Sequence, residues 1–182
     1  RGGLNNMDAL VIVDVQNDFV SGALGTKEAE AIIEPLINKI NSFDGLILLT
    51  KDSHDENYLT SQEGKNLPVE HCIKGTAGWE IDSRVMKAIE EKGFKYKIFE
   101  KDTFGSLSLG DHIVELYNEG KIRQIEIVGL CTDICVVSNA LLIKAMLPEL
   151  PIRVDATCCA GVTPNSHQAA LITLKSCQIE IV

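Results

Sequence analysis

The sequence predicts an α/β fold: a doubly wound, mostly parallel six-stranded sheet with helices on both faces. Two observations predict it. Short apolar runs recur without polar alternation, as strands buried on both faces require. Between these runs lie segments with apolar residues at helical spacing, so strands and helices alternate along the chain.

Residues 8–13 form the first apolar run. Ala29, Ile32, Ile33, Leu36, Ile37 and Ile40 then share one helical face. Pro35 lies inside that pattern, so the helix either starts just before it or kinks there. Residues 45–50 make the second strand. Residues 52–80 carry little periodicity, and a loop this long in a compact domain is usually functional. A helix over 83–92 stops at Gly93, a short strand covers 96–99, and a helix over 109–119 stops at Gly120. Residues 124–128 form strand four, followed by a helix from Asp133 to about Met146. Strand five covers 152–156. Thr163-Pro164 places a capping hydroxyl before a proline at the first helical position, opening a helix to about Lys175. Residues 179–182 close as strand six.

Arg1 to Asn6, ahead of Met7, reads as an expression remnant, and 7–182 as a single domain. Apolar residues make up 45% of the chain, a globular rather than disordered composition. The net charge of -9 disfavours nucleic acid as a partner. No apolar run approaches the roughly 18 residues of a membrane span, so no membrane partner is expected. The cysteines, at 72, 131, 135, 158, 159 and 177, form no CxxC pair. No secretory apolar segment precedes them, so a cytoplasmic protein with mostly reduced thiols is expected.

In such sheets ligands bind at the carboxyl ends of the strands. Asp14 ends strand one, Asp52 and His54 follow strand two, Lys101 follows strand three, and Cys135 follows strand four. A thiol on a strand-to-helix turn lies near unpaired backbone N–H groups and the positive end of a helix, which favours thiolate. Cys135 in Gly129-Leu-Cys-Thr-Asp-Ile-Cys135 is therefore a candidate nucleophile. His112 and His167 read as structural. Cys158 and Cys159 read as core residues on opposite faces of a strand end.

The run Val13-Asp14-Val15-Gln16-Asn17-Asp18-Phe19 resembles the opening motif of the isochorismatase-like cysteine hydrolases. Thr50-Lys51-Asp52-Ser53-His54, His71-Cys72-Ile73-Lys74-Gly75-Thr76, the segment at Lys101, and Gly129 to Val136 resemble its later motifs, in order. The resemblance covers almost all of Met7 to Val182. It implies the isochorismatase-like hydrolase fold and a catalytic triad of Asp14, Lys101 and Cys135. It also implies a cis Leu130–Cys131 peptide, with the N–H groups of Cys131 and Cys135 facing an oxyanion. Lys101 would favour thiolate at Cys135, and Asp14 would carry the proton from the thiol to the leaving ammonia.

Asp52, His54 and His71 resemble the metal ligands of the nicotinamidase/pyrazinamidase branch, and Glu63 stands where some members use a carboxylate. Glu56 and Glu70 are alternatives to it in the same loop. This ligand set implies one divalent transition metal, zinc first, then iron or manganese. The branch implies hydrolysis of nicotinamide to nicotinic acid and ammonia, in NAD salvage. It also implies that the pyridine nitrogen binds the metal, aiming the amide at Cys135, and that the chain forms a homo-oligomer. Phe19 would stack on the ring, with Leu24, Phe104, Leu130 and Cys131 lining the pocket.

Two departures stand out. Leu67-Pro68-Val69-Glu70 occupies the place where many nicotinamidases carry an aromatic residue and a proline pair. Cys131 stands where a small residue such as alanine is commoner; it is either inert or a disulfide partner for Cys135 under oxidation. Two other readings remain. One is a hydrolase of the same fold acting on a carbamoyl or ureido amide, or on isochorismate; the metal motif argues against it. The other is a catalytically silent binding domain, against which the intact triad argues.

Overall fold

The computed structural model describes residues 6–182. The expectation of an expression remnant falls on residues that, apart from Asn6, lie outside this span. The described residues contain six strands: β1 (Met7–Val13), β2 (Gly45–Asp52), β3 (Tyr96–Lys101), β4 (Ile122–Leu130), β5 (Ile152–Ala160) and β6 (Glu180–Ile181). They form one sheet in the order β3-β2-β1-β4-β5-β6, and every pairing is parallel.

The chain winds outward from β1 through β2 to β3, then crosses back to β4 and winds the other way. The crevice between the carboxyl ends of β1 and β4 is therefore the topological switch point, where such sheets bind ligands. Asp14 directly follows β1, and Cys135 lies five residues beyond β4.

Among the described residues, seven of the eight α-helices cover the two faces. Asn17–Val20 (α1), Lys27–Ala31 (α2), Ile33–Ser42 (α3) and Ser83–Glu91 (α5) pack on one side, while Leu107–Asn118 (α6), Val137–Met146 (α7) and Pro164–Ser176 (α8) pack on the other. Gln62–Asn66 (α4) lies in the loop after β2. The alternation of β1 explains the two cores. Leu10 and Ile12 face Leu36, Ile40, Val85 and Ile89, whereas Ala9, Val11 and Val13 face Ile113, Ala140 and Ile143. All are buried, and each large aliphatic side chain contributes on the order of 1.5–3 kcal/mol of transfer free energy. Among the described residues, no helix is long and apolar enough to cross a membrane.

The expected elements are present, with shifted ends. The helix around Pro35 starts at Ile33, which places the proline in the first turn where its missing N–H costs nothing. Asp52 and Lys101 are the last residues of their strands rather than beyond them, and are in register with each other. The helix bearing Cys135 opens with a π-helical turn, Thr132–Val136. β5 runs on to Ala160, placing Cys158 and Cys159 inside the strand and in opposite cores. The Thr163 side chain caps α8 in a reciprocal capping box with Ser166. The aperiodic region after β2 contains α4 and two short 3-10 turns, Tyr58–Thr60 and Ala77–Trp79.

Candidate active site

Gly129 permits the close approach of β4 to β1. It pairs with Val13 at φ +119°, and a Cβ there would lie 2.2 Å from the Val13 carbonyl oxygen. One residue beyond Val13, Asp14 turns into the switch-point crevice at φ 49°, held by its own N–H to Thr50. Its carboxylate is fully buried. The Thr50 hydroxyl donates to Oδ1 at 2.6 Å, and Lys101 Nζ donates to Oδ2 at 2.7 Å. The same Nζ lies 3.5 Å from Cys135 Sγ. Asp14, Lys101 and Cys135 thus meet in one place, all buried. The Leu130–Cys131 peptide beside them is cis.

The electrostatics of this group turn on one cation facing two acids. Burial pushes the Asp14 carboxyl above its ordinary range, although Lys101 pulls it down. Burial and the Asp14 charge push the Cys135 thiol well above its ordinary value, again against the pull of Lys101. The pull of Lys101 towards thiolate is present, but it does not win in the free protein. A single ammonium balances one anion, so the resting pair is carboxylate and thiol, and forming the thiolate moves its proton to Asp14.

Beside the triad, Asp52, His54, Glu63 and His71 converge, with one ligand atom from each within 4.8 Å of the others. Asp52 Oδ2 lies 2.9 Å from His54 Nε2 and 3.4 Å from His71 Nε2. Glu63 Oε1 lies 3.6 and 3.7 Å from the same two nitrogens. His71 Nδ1 bonds the Val69 carbonyl at 2.8 Å, which as donor leaves Nε2 free to ligate. Tyr58 packs against both imidazoles. Burial raises the Asp52 carboxyl, but hydrogen bonds to His54 and His71 and the charge of Lys101 hold it below the usual range. Burial and the charge of Asp52 push Glu63 up. Two carboxylates facing two imidazole nitrogens in a largely buried site are a donor set that a divalent cation fits. Lys101 joins the two groups, its Nζ 3.7 Å from Asp52 Oδ1.

A cavity of about 140 Å³ reaches both groups. Phe19, Leu24, Phe104, Leu130 and Cys131, the five expected pocket residues, all line it, together with Asp52, Glu63, His71 and Cys135. Leu67 lines it too, at the place of the absent aromatic, and so do Ile134 and Val162. A larger polar cleft of about 830 Å³ opens on His54, Glu63 and Lys101 but is not lined by Cys135. All six cysteines are free thiols, and burial pushes that of Cys131 up to about 12. His167 bonds the Thr132 hydroxyl at 2.7 Å, and His112 contacts Glu115; neither joins the four-residue group.

Several positioning side chains carry no signal of their own in the sequence. Thr50 serves Asp14. Gln16 brackets Asp52, accepting from its N–H and donating to its carbonyl, both at 2.8 Å. Tyr58 backs the two histidines, and Asn139 ties Cys135 to a neighbouring loop. Gln16 and Thr50 lie inside the two motif segments, the only hint available for them.

Fold and site together define a doubly wound α/β domain with a thiol-centred polar site at its switch point. The family model described as the Isochorismatase domain matches residues 8–182, and the chain belongs to that family. A nicotinamidase/pyrazinamidase of Mycobacterium tuberculosis is 28% identical over 191 residues, covering 97% of this chain and 98% of that protein. The crystal structure of a nicotinamidase/pyrazinamidase from Bacillus subtilis superposes with a TM-score of 0.81 at 26% identity, over 97% of this chain and 99% of that one. The crystal structure of a pyrazinamidase from Pyrococcus horikoshii in complex with zinc superposes with a TM-score of 0.76 at 27% identity, over 97% and 98% of the two chains.

Proposed function

We propose that this protein is a nicotinamidase, an amidohydrolase that converts nicotinamide to nicotinic acid and ammonia. The observation that carries the reading is the position of Lys101 Nζ, 2.7 Å from Asp14 and 3.5 Å from Cys135, beside a cavity that also reaches the His and carboxylate group. The similarity to nicotinamidases supports the substrate.

The chemistry follows from the residues. Asp14 takes the thiol proton of Cys135, and the sulfur attacks the carboxamide carbon. Lys101 compensates whichever of the two acids is anionic. The N–H groups of Cys131 and Cys135 hold the oxyanion, and one such donor is worth about 3 kcal/mol of barrier. Asp14 returns the proton to the leaving nitrogen, ammonia departs, and a thioester joins the acyl group to Cys135. Water then cleaves the thioester, giving the acid and restoring the thiol. Asp52, His54, Glu63 and His71 would hold one divalent transition metal, zinc foremost with iron or manganese as alternatives. When bound it supplies Lewis acidity and a point of attachment for a ring nitrogen. Phe19, Leu24, Phe104 and Leu130 give the ring apolar walls.

On this reading residues 7–182 act as a single cysteine hydrolase domain, in the cytoplasm, in NAD salvage and as a homo-oligomer. Ammonia release across a panel of nicotinamide, pyrazinamide, benzamide and an N-carbamoyl amide tests it. Preference for the two nitrogen heterocycles supports the reading. Preference for the carbamoyl compound overturns it.

A further inference from the structure

Asn139 lies on α7 one turn beyond Cys135, and its side chain is fully buried. Its Oδ1 accepts from the Ser106 N–H at 2.8 Å. Its Nδ2 donates to the Cys135 carbonyl at 2.8 Å and to the Phe104 carbonyl at 3.2 Å. One donor and two acceptors fix the orientation of the amide, since a flip would set its oxygen against two carbonyls. The amide therefore stitches the β3–α6 segment to the helix that carries the nucleophile.

That segment holds Phe104, which lines the cavity although 48% of it is exposed. Its other side-chain bonds are local. Thr103 Oγ1 donates to the Gly105 carbonyl at 2.7 Å, and Ser106 Oγ accepts from the Leu109 N–H at the start of α6. Asn139 is thus the link that sets the height of the Phe104 wall relative to Cys135. We propose that Asn139 is a positioning residue that holds the Phe104 wall in place over the nucleophile turn, and so governs the binding of an aromatic amide. This rests on the reading of the cavity as the amide site. A wall that shifts by a fraction of a ring width costs binding of a flat ligand while leaving the sulfur, the acid and the lysine where they are.

The test is a double-mutant cycle of Asn139→Ala and Phe104→Ala, read by nicotinamide kinetics and by alkylation of Cys135 with iodoacetamide, located by peptide mass mapping. Each single variant is expected to raise KM about tenfold with kcat within about threefold, and the double variant to be no worse than the poorer single one. Iodoacetamide carries no ring, so Cys135 is alkylated within about threefold of the wild-type rate in Asn139→Ala. An unchanged KM in either single variant, or effects that multiply in the double variant, would overturn the inference. So would an alkylation rate changed about tenfold or more in Asn139→Ala, which would assign the residue to the sulfur itself. Phe104 is half-exposed, so its KM is readable whatever the stability of the Asn139 variants. Asn139→Ser, which keeps a buried polar group, is read in the same way where the alanine variant does not fold. A wild-type protein that releases no ammonia from nicotinamide overturns the proposed function instead, and the alkylation rate still judges Asn139.

Discussion

The Thr50 hydroxyl donates to Asp14 Oδ1 at 2.6 Å, which leaves the second carboxylate oxygen to Lys101. β1 and β2 pair Val13 with Thr50, so the residue after β1 meets the Thr50 hydroxyl. The bond stabilises the ionised form of Asp14, the form that accepts the thiol proton.

Thr50→Val removes that support, and with it the 3.1 Å bond that Thr50 Oγ1 accepts from the Asp14 N–H, which keeps its bond to the Thr50 carbonyl. Burial already raises the Asp14 carboxyl, and loss of the hydrogen bond raises it further. At a given pH more Asp14 is then protonated, so the acid limb of the kcat/KM profile moves to higher pH. Near neutral pH kcat/KM should fall about tenfold, the equivalent of about 1.4 kcal/mol. An acid limb that stays in place would show that Asp14 is not the group it reports.

His54→Ala should lose the metal. His54 supplies one of the two imidazole nitrogens of the four-residue group. Metal content of protein purified without chelator is the measurement, with near-stoichiometric transition metal expected in the wild type and little in the variant. Glu63 is less buried than its three partners, so Glu63→Ala should weaken retention less. Unchanged metal content in His54→Ala would remove that residue from the ligand set.

Acid stability is expected to depend on Asp82. Burial raises its carboxyl, but Arg84 and two backbone N–H groups outweigh burial and leave it below the ordinary carboxylate value. A depressed carboxylate contributes stability that is present above its unfolded pKa and is lost as pH falls through the folded one. Asp82→Asn keeps the cap of α5 and discards the charge. Allowing for solvent around the half-exposed Arg84, it should cost about 1 kcal/mol at neutral pH. Its thermal midpoint should also fall less steeply below the ordinary carboxylate range. Parallel acid profiles for variant and wild type would contradict this.

The sheet was legible because its central strands are apolar on both faces, a pattern that survives without tertiary information. α1 and α4 were not, since helices of four and five residues are too short to show a period. Asp14, Lys101 and Cys135 were legible as polar residues breaking off at strand ends. Thr50 and Asn139 were not, because what makes them matter is a partner 36 or 33 residues away. No local pattern encodes such a bond. Cys135 was legible as a nucleophile but not in its resting state, because burial rather than neighbouring sequence sets the balance between thiol and thiolate.

The most direct test of the central claim mixes the protein with nicotinamide, quenches in acid within a turnover, and maps the peptides by mass. The account predicts a nicotinoyl thioester on the peptide bearing Cys135, absent in Cys135→Ala, which should keep its fold and release no ammonia. Ammonia release from Cys135→Ala at a rate comparable to the wild type would contradict it.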